Sequence, residues 1–309
     1  MTTALLAEQM LNGIQLGVML FLVAAGLTLV FGVMGLINLA HGSLYMIGAF
    51  AAAWTSAVSG SFMLGLLASM LAAAVAGIVI ELLVMRRLYA RDHLEQVLAT
   101  FALILVFSEG TRWVFGDFPL YLDKPDWLSG PVMLPGGLQY PLYRLTLIGV
   151  GIAVALGLYL LVERTRTGMR IRAGQSDRDM VAVLGVDIDK LYTLVFALGA
   201  ALAGLAGALV GTLQSVQVGM GEPMLILAFV VIVIGGIGSI KGAFAGALLV
   251  GLTDTLGRAL LPGLIDPLIP SSSTSYGATL ASMLVYILMA MVLIVRPNGL
   301  FGRALEQRR

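Results

Sequence analysis

Apolar runs of membrane-crossing length recur along almost the entire chain. The hydrocarbon core of a bilayer is about 30 Å thick, so a helix needs roughly 20 apolar residues to cross it. Such runs occupy residues 10–33, 42–59, 62–85, 94–115, 142–162, 190–213 and 278–295, and a longer one extends from Pro223 to Leu261. Because charges are scarce in these runs, we predict an α-helical protein that crosses a membrane many times.

Composition excludes the other fold classes. The chain is 59% hydrophobic and 11% charged, whereas a typical soluble domain is about 25% charged. A membrane β-barrel is excluded because its strands would alternate in polarity at every second residue, and these runs are continuously apolar. We therefore predict an all-α, polytopic transmembrane helical bundle of about 8–10 spans, with Gly-rich broken helices, as a single integral-membrane domain over residues 1–309.

Basic residues predict the orientation. Most of the 18 Lys and Arg residues fall in four places, which are residues 86–91, residues 164–190, Lys241 and the tail with Arg296, Arg303, Arg308 and Arg309. Cytoplasmic loops are enriched in Lys and Arg. All four places are cytoplasmic if the chain makes nine passes, with its N-terminus outside and its C-terminus in the cytoplasm. The N-terminus lacks the basic segment of a signal peptide, so we expect the first span to be retained.

The residue inventory argues against chemistry within this chain. There is no Cys, there are two His, and neither an HExxH nor a GxxxxGK[ST] pattern is present. We predict no catalytic site, no metal site and no cofactor, and any ATP hydrolysis would come from another chain. Charges near the ends of spans are interpreted as structural ion pairs; these are Glu81 with Arg86, Glu109 with Arg112, and Asp254 with Arg258.

Two Gly-rich segments interrupt the apolar runs. The first is "GVMGLINLAHGS" (residues 32–43) and the second is "GGIGSIKGAFAG" (residues 235–246). A broken helix survives in a bilayer only when protein packs around it or when it lines a cavity, and paired breaks are typical of translocation paths. Two interpretations stay open, a solute pathway or gate and a break that only shapes packing. The residues concerned are Asn38, His41, Ser43, Gly235, Gly236 and Gly238.

The segment 164–190 predicts a short helix between two spans. Ser176 is expected to cap it, with Asp179 three residues on, and Gly185 is expected to end it in the left-handed conformation. Met180, Val183 and Leu184 share one face at the spacing i, i+3 and i+4. This face fits either the surface of anionic lipid or a groove on a soluble partner.

Three stretches carry a resemblance to a known family. "AAGLTLVFGVMGLINLAHGSLYMIGAF", "TRTGMRIRAGQSDRDMVAVLGVDIDKLYTLVFALGAALAGLAGAL" and "FVVIVIGGIGSIKGAFAGALLVG" resemble the LivH-like permease subunits of branched-chain amino acid ABC importers. The similarity covers most of the chain. Ribose-type ABC permeases are similar more distantly, through their own Gly-rich elements.

The resemblance implies a function and a set of partners. It implies a permease subunit in the bacterial inner membrane, working with a LivM-like partner permease, two cytoplasmic ATPase subunits and a periplasmic substrate-binding protein. Met180, Val183, Leu184 and Gly185 would then form the element that couples to an ATPase. Relatives that carry urea, short amides or aromatic compounds stay open as alternatives, as does a self-sufficient secondary transporter or channel.

Overall fold

The computed structural model describes residues 3–89, 91–135, 137–267 and 275–302. The predicted basic residues Arg303, Arg308 and Arg309 therefore lie outside the described residues, and so does the side chain of Asp179. The longer helices are α1 (Thr3–Met34), α2 (His41–Ser59), α3 (Phe62–Ile80), α5 (His93–Phe115), α6 (Leu142–Arg164), α9 (Ile188–Gly211), α10 (Gly221–Gly235), α11 (Ile240–Ile265) and α12 (Tyr276–Val295). The shorter ones are α4 (Arg86–Leu88), α7 (Arg166–Ser176) and α8 (Arg178–Val183).

The predicted fold class is confirmed. Seven helices of the described part are long and apolar enough to cross a membrane: α1, α3 with its extension to Leu88, α5, α6, α9, α11 and α12. The run from Pro223 to Leu261 is divided as expected, since α10 ends at Gly235 and α11 begins at Ile240. The nine-pass arrangement, which also counts α2 and α10 as crossings, stays a prediction.

Helix ends follow the local signals in the sequence. Ser61, which precedes α3, accepts a hydrogen bond from the Leu64 amide at 3.4 Å, so it is the N-cap of that helix. Gly60 closes α2 in the left-handed conformation with φ of 68°. These two adjacent caps turn the chain between α2 and α3 within two residues.

The chain divides into two compact units, each built from separated stretches. Unit A comprises Leu22–Pro125 and Ala153–Ala228. Unit B comprises Met1–Phe21, Asp126–Ile152 and Phe229–Arg309. The single-domain expectation for residues 1–309 stays a prediction.

Unit A is centred on α2, α3 and α9, which pack against one another through small residues. A Cβ added to Gly48 of α2 would overlap the backbone of Gly204 of α9, and one added to Gly204 would overlap Ser69 of α3. Such backbone-to-backbone contact is typical of helices packed inside membranes, where small residues permit the closest approach.

Unit B packs the first part of α1 against α11, and α11 against α12. Gly17 lies against the backbone of Ala247, and the ring of Phe21 meets that of Phe244 edge to face at 5.2 Å. Asp266, just after α11, accepts hydrogen bonds from Ser275 Oγ at 2.6 Å and the Gly277 amide at 2.8 Å. These bonds hold the pKa of Asp266 below its usual value, and they join the end of α11 to the start of α12.

A small hairpin in unit B was not predicted. Strands β1 (Pro131–Leu134) and β2 (Leu138–Pro141) pair antiparallel, with Val132 opposite Tyr140. Tyr140 is buried, and its hydroxyl donates to Asn12 Oδ1 of α1 at 3.0 Å. The hairpin therefore anchors the connection before α6 to α1.

Candidate functional site

The first Gly-rich segment breaks the helix, and hydrogen bonds within the segment pair part of its backbone. Helix α1 ends at Met34, Gly35 follows with φ of 66°, and α2 begins at His41. The Asn38 side chain accepts a hydrogen bond from the Ala40 amide at 3.0 Å, and the His41 amide lies 3.4 Å from the Asn38 carbonyl. This side-chain turn supplies backbone partners that a continuous helix would otherwise provide.

The predicted polar residues of this break are enclosed in protein. Asn38 and His41 are fully buried, and Ser43 is nearly so. His41 Nε2 lies 3.3 Å from the Val23 carbonyl of α1, so the imidazole ties the start of α2 back to the preceding helix. Because Nε2 is the donor in that bond, Nδ1 is the acceptor nitrogen of the ring.

Two polar atoms at this break have no hydrogen-bond partner within the part of the chain that the structure describes. They are Asn38 Nδ2, which is a donor, and His41 Nδ1, which is an acceptor. A buried polar atom left unpaired costs about 1–3 kcal/mol. The break therefore holds hydrogen-bonding capacity of both polarities that this arrangement of the protein does not use.

Helix α9 and the start of α10 pack directly around the break. A Cβ on Gly26 would overlap the backbone of Gly199, and one on Gly221 would overlap the backbone of Gly42. The exposed backbone of a broken helix is unfavourable in lipid. Here protein encloses it, because glycines on both sides allow the helices to approach that closely.

The second Gly-rich segment lies in unit B and is built differently. Helix α10 ends at Gly235, and Gly236 and Gly238 adopt φ of 101° and 76°. Ser239 then caps α11, since its hydroxyl accepts from the Gly242 amide at 3.0 Å. Gly235 lies against Gly242, so the break is a tight reversal between two helices.

A segment beyond α12 completes this second break. The amide of Leu300 donates to the Ile234 carbonyl at 2.8 Å, and the amide of Phe301 donates to the Gly235 carbonyl at 2.9 Å. Gly236 lies so close to Gly302 that a side chain there would overlap its backbone. Residues 296–302 therefore satisfy the terminal carbonyls of α10. Sequence reasoning noted only the charge of Arg296, although the run "RPNGLFG" carries two turn-forming glycines.

The structure places the predicted pathway residues in two groups. Asn38, His41 and Ser43 come together in unit A, and Gly235, Gly236 and Gly238 come together in unit B.

The predicted short helix is present as α8, with one correction. Asp177 caps it, because its Oδ1 accepts from the Met180 amide at 3.0 Å. Ser176 was the predicted cap, and it is instead the last residue of α7. Helix α7 itself was not predicted. Thr165 caps it, because its hydroxyl accepts a hydrogen bond from the Gly168 amide at 3.0 Å. A Thr directly before a basic amphipathic run is a helix-start signal that could have predicted α7.

The predicted stop at Gly185 is confirmed. Gly185 has φ of 85°, its amide donates to the Ala182 carbonyl at 2.9 Å, and the Val186 amide lies 3.3 Å from the Val181 carbonyl. This pair of bonds is the Schellman motif. Asp187 then caps α9 through the Lys190 amide, and the hydrogen bonds from Lys190 lower the pKa of Asp187.

The predicted apolar face of α8 is exposed. Met180, Val183 and Leu184 are 58%, 83% and 75% exposed, whereas Val181 is buried. The six-residue helix α8 and Leu184 directly after it thus present three large apolar side chains that the rest of the described chain leaves uncovered.

The described part of the chain, with seven helices long and apolar enough to cross a membrane, defines a multi-pass α-helical membrane protein. A family model described as the branched-chain amino acid transport system permease component matches residues 9–295. The chain belongs to that family.

Three relatives illustrate the similarity. The high-affinity branched-chain amino acid transport system permease protein BraD of Pseudomonas aeruginosa is 30% identical over 96% of this chain and 95% of its own length. The corresponding LivH proteins of Salmonella typhimurium and Escherichia coli are 30% and 29% identical, each over the same shares of the two chains. No solved structure matches the chain significantly. The resemblance noted from the sequence is therefore confirmed at the level of the family.

Proposed function

We propose that the chain is the membrane-spanning translocation subunit of an ATP-binding-cassette importer for branched-chain amino acids or related small polar solutes. Its relatives are named as permease proteins of branched-chain amino acid transport systems. The chain has no GxxxxGK[ST] phosphate-binding loop, so ATP would be hydrolysed by two cytoplasmic partner subunits. A LivM-like permease and a periplasmic substrate-binding protein complete the proposed assembly.

The exposed face of α8 is the observation that carries the proposal. Met180 and Val183 lie on α8 and Leu184 directly follows it; Asp177 caps the start of this helix, and the Schellman motif ends it. An apolar helix face that enters a groove is a common mode of protein recognition. We propose that this groove lies on the surface of the ATPase subunit.

Copurification tests the docking. Val183→Asp should reduce the amount of ATPase that purifies with the permease by at least about tenfold, since a buried interface anchor contributes about 2 kcal/mol or more. Met133→Asp is the matched control, because Met133 is similarly exposed but lies on strand β1. Equal ATPase recovery from both variants would reject α8 as the docking element.

Gly185→Leu tests whether α8 must be held in its direction. The site has open space but a left-handed backbone, so the substitution strains the chain without a steric clash. We expect ATP hydrolysis to continue while uptake falls. Gly157→Leu is the control, because Gly157 also has open space and lies within α6. Normal coupling in Gly185→Leu would contradict the docking-helix proposal.

The first break is the proposed solute pathway or gate in unit A. Asn38 Nδ2 can donate to a carboxylate and His41 Nδ1 can accept from an ammonium group. Free atoms of both polarities suit a zwitterionic amino acid in a state where the break is open, with Ser43 beside them on the first turn of α2. Gly235, Gly236 and Gly238 are proposed to serve the gate through their backbone.

Uptake by reconstituted vesicles tests the pathway role. Asn38→Leu and His41→Leu should each lower ATP-driven uptake of leucine by at least about tenfold, because each leaves one charged end of the solute unpaired. His93→Leu, which changes the exposed second histidine, should not. Unchanged uptake in the first two variants would remove these residues from the pathway. Uptake by the purified chain without ATP would instead support a secondary transporter.

The proposed location is the bacterial inner membrane, with the N-terminus outside and the C-terminus in the cytoplasm. The chain contains no Cys, so an introduced Cys is its only thiol. Met169→Cys on α7 should react with a membrane-impermeant maleimide only in inverted vesicles, and Met133→Cys only in intact spheroplasts. The reverse pattern would invert the orientation.

A further inference from the structure

A charged and hydrogen-bonded cluster lies where three helices of unit A meet. Its centre is Glu81, whose side chain is fully buried although it carries a carboxylate. Arg86 Nε donates to Glu81 Oε1 at 3.1 Å, and Arg86 is about one-third exposed. A carboxylate in such surroundings is tolerated only when it is paired and fully hydrogen-bonded.

Two further hydroxyls complete the partners of Glu81. The Tyr89 hydroxyl donates to Oε1 at 2.9 Å, and the Thr193 hydroxyl donates to Oε2 at 2.7 Å. Arg86 Nη2 donates in turn to Thr193 Oγ1 at 3.0 Å. Each carboxylate oxygen thus has a partner within the protein. The cluster is therefore better suited to fastening helices together than to carrying a transported ion.

The local backbone is shaped to bring the ion pair together. Residues five apart on a regular α-helix point about 140° away from each other. Glu81–Met85 forms a π turn, in which the Arg86 amide bonds the Glu81 carbonyl. The wider turn brings positions i and i+5 towards the same side of the helix. Such π turns are frequent at functional sites.

The cluster joins three elements that matter for the proposed function. Thr193 lies on the second turn of α9, and Asp189 on its first turn approaches Arg86 Nη1 at 3.9 Å. Tyr89 packs edge to face on Tyr192 of α9 at 5.1 Å, and its hydroxyl lies 3.9 Å from Sδ of Met34, the last residue of α1.

The path from α8 to this cluster is short and held at each step. The Schellman motif at Gly185 ends α8, Asp187 caps α9 two residues later, and Thr193 follows within two turns. Because this connection is short and hydrogen-bonded, a displacement of α8 is expected to displace the start of α9 as well. From α9 it reaches α3 through Glu81 and the end of α1, next to the first break, through Tyr89.

We propose that Glu81, Arg86, Tyr89 and Thr193 are positioning residues that transmit movement of α8 to the first helix break, so that they couple ATP hydrolysis to solute movement. This role rests on the proposed function of the chain as an importer subunit. The four residues do not touch the solute. They fasten α3, α9 and the end of α1 into one moving unit.

The experiment measures the number of leucine molecules moved per ATP hydrolysed by the complete transporter in proteoliposomes. Thr193→Val removes the single hydroxyl that joins α9 to Glu81, and it should lower this ratio by at least about fivefold, the lower end of ordinary coupling between sites. Glu81→Gln should do the same, and Thr193→Ser should restore the ratio. Glu109→Gln is the matched control, because Glu109 also pairs with a nearby Arg on its own helix but is exposed.

The outcomes separate the two proposals. If the cluster were merely structural, the substitutions would reduce the amount of assembled transporter, but each assembled complex would still move the same number of leucine molecules per ATP. That result would overturn the coupling role. Should Glu81→Gln fail to assemble, Thr193→Val and Tyr89→Phe, which each remove one oxygen, decide the question. A wild-type complex without ATP-driven uptake would reject the importer function itself, and the coupling role with it.

Discussion

The two helix breaks begin from similar glycine-rich strings but satisfy their backbones by different means. The first uses side chains from its own neighbourhood, since Asn38 bonds the Ala40 amide and His41 reaches Val23. The second uses a remote segment, since the amides of Leu300 and Phe301 bond the last carbonyls of α10. The first arrangement leaves two side-chain atoms, Asn38 Nδ2 and His41 Nδ1, without a partner among the described residues, whereas the second pairs the last two carbonyls of α10 with backbone amides.

The largest effect is expected from a substitution that separates the second break from its remote segment. Gly236→Val places a branched side chain at a left-handed φ and against the backbone of Gly302. We expect the free energy of unfolding in detergent to fall by at least about 2 kcal/mol, because the conformational strain alone accounts for roughly 1–2 kcal/mol.

The control for this change is Gly263→Val, which alters a glycine of α11 with open space around it. Chemical denaturation monitored by tryptophan fluorescence gives both values. Equal stabilities for the two variants would show that the contact between Gly236 and residues 296–302 is dispensable.

A single backbone donor can be removed to test the remote capping itself. Leu300→Pro deletes the amide that bonds the Ile234 carbonyl and leaves that buried acceptor unpaired, which costs about 1–3 kcal/mol. Hydrogen exchange should then accelerate at residues 234–239 and stay unchanged at residues 35–41.

Leu300→Ala is the matched control here, because it trims the side chain but keeps the amide. Faster exchange in the alanine variant as well would assign the effect to lost packing. Faster exchange at the first break would show that the two breaks do not open independently.

The smallest effect is expected from Ser239, the side chain that caps α11 at the second break. Ser239→Ala removes the cap of α11 and should lower the free energy of unfolding by about 1 kcal/mol. Uptake should be retained, because Ser239 is proposed to act only as a cap. The corresponding change at the first break, Asn38→Ala, should reduce uptake by more than its loss of stability accounts for. Similar losses of uptake in the two variants would contradict the proposal that only the first break uses its side chains for transport.

Sequence reasoning succeeded where the signal was local. Hydropathy located α1, α5 and α12 within a few residues at most ends, and the division at Gly235 followed from its glycines. Gly185 was identified because a left-handed helix stop favours glycine. These features depend on residues that are near one another in the chain.

What was missed depends on contacts between distant residues or on unusual backbone geometry. Nothing near Gly235 indicates that Leu300 and Phe301 bond the end of α10. The five-residue separation of Glu81 and Arg86 suggested a pair near a span end, but complete burial required the π turn and Thr193, which is 112 positions away. The Ser176 cap failed for a simpler reason, since α7 extends through it and transfers the role to Asp177.

The contact of Gly48 with Gly204 has a genetic consequence. In a packed core, the volume added by a larger residue can be offset by a smaller residue on the facing helix. Here the facing residue is already a glycine, and the atoms in contact are main chain. A larger residue at Gly48 should therefore yield no suppressor on α9 at this contact, and revertants selected for growth should restore the glycine codon itself.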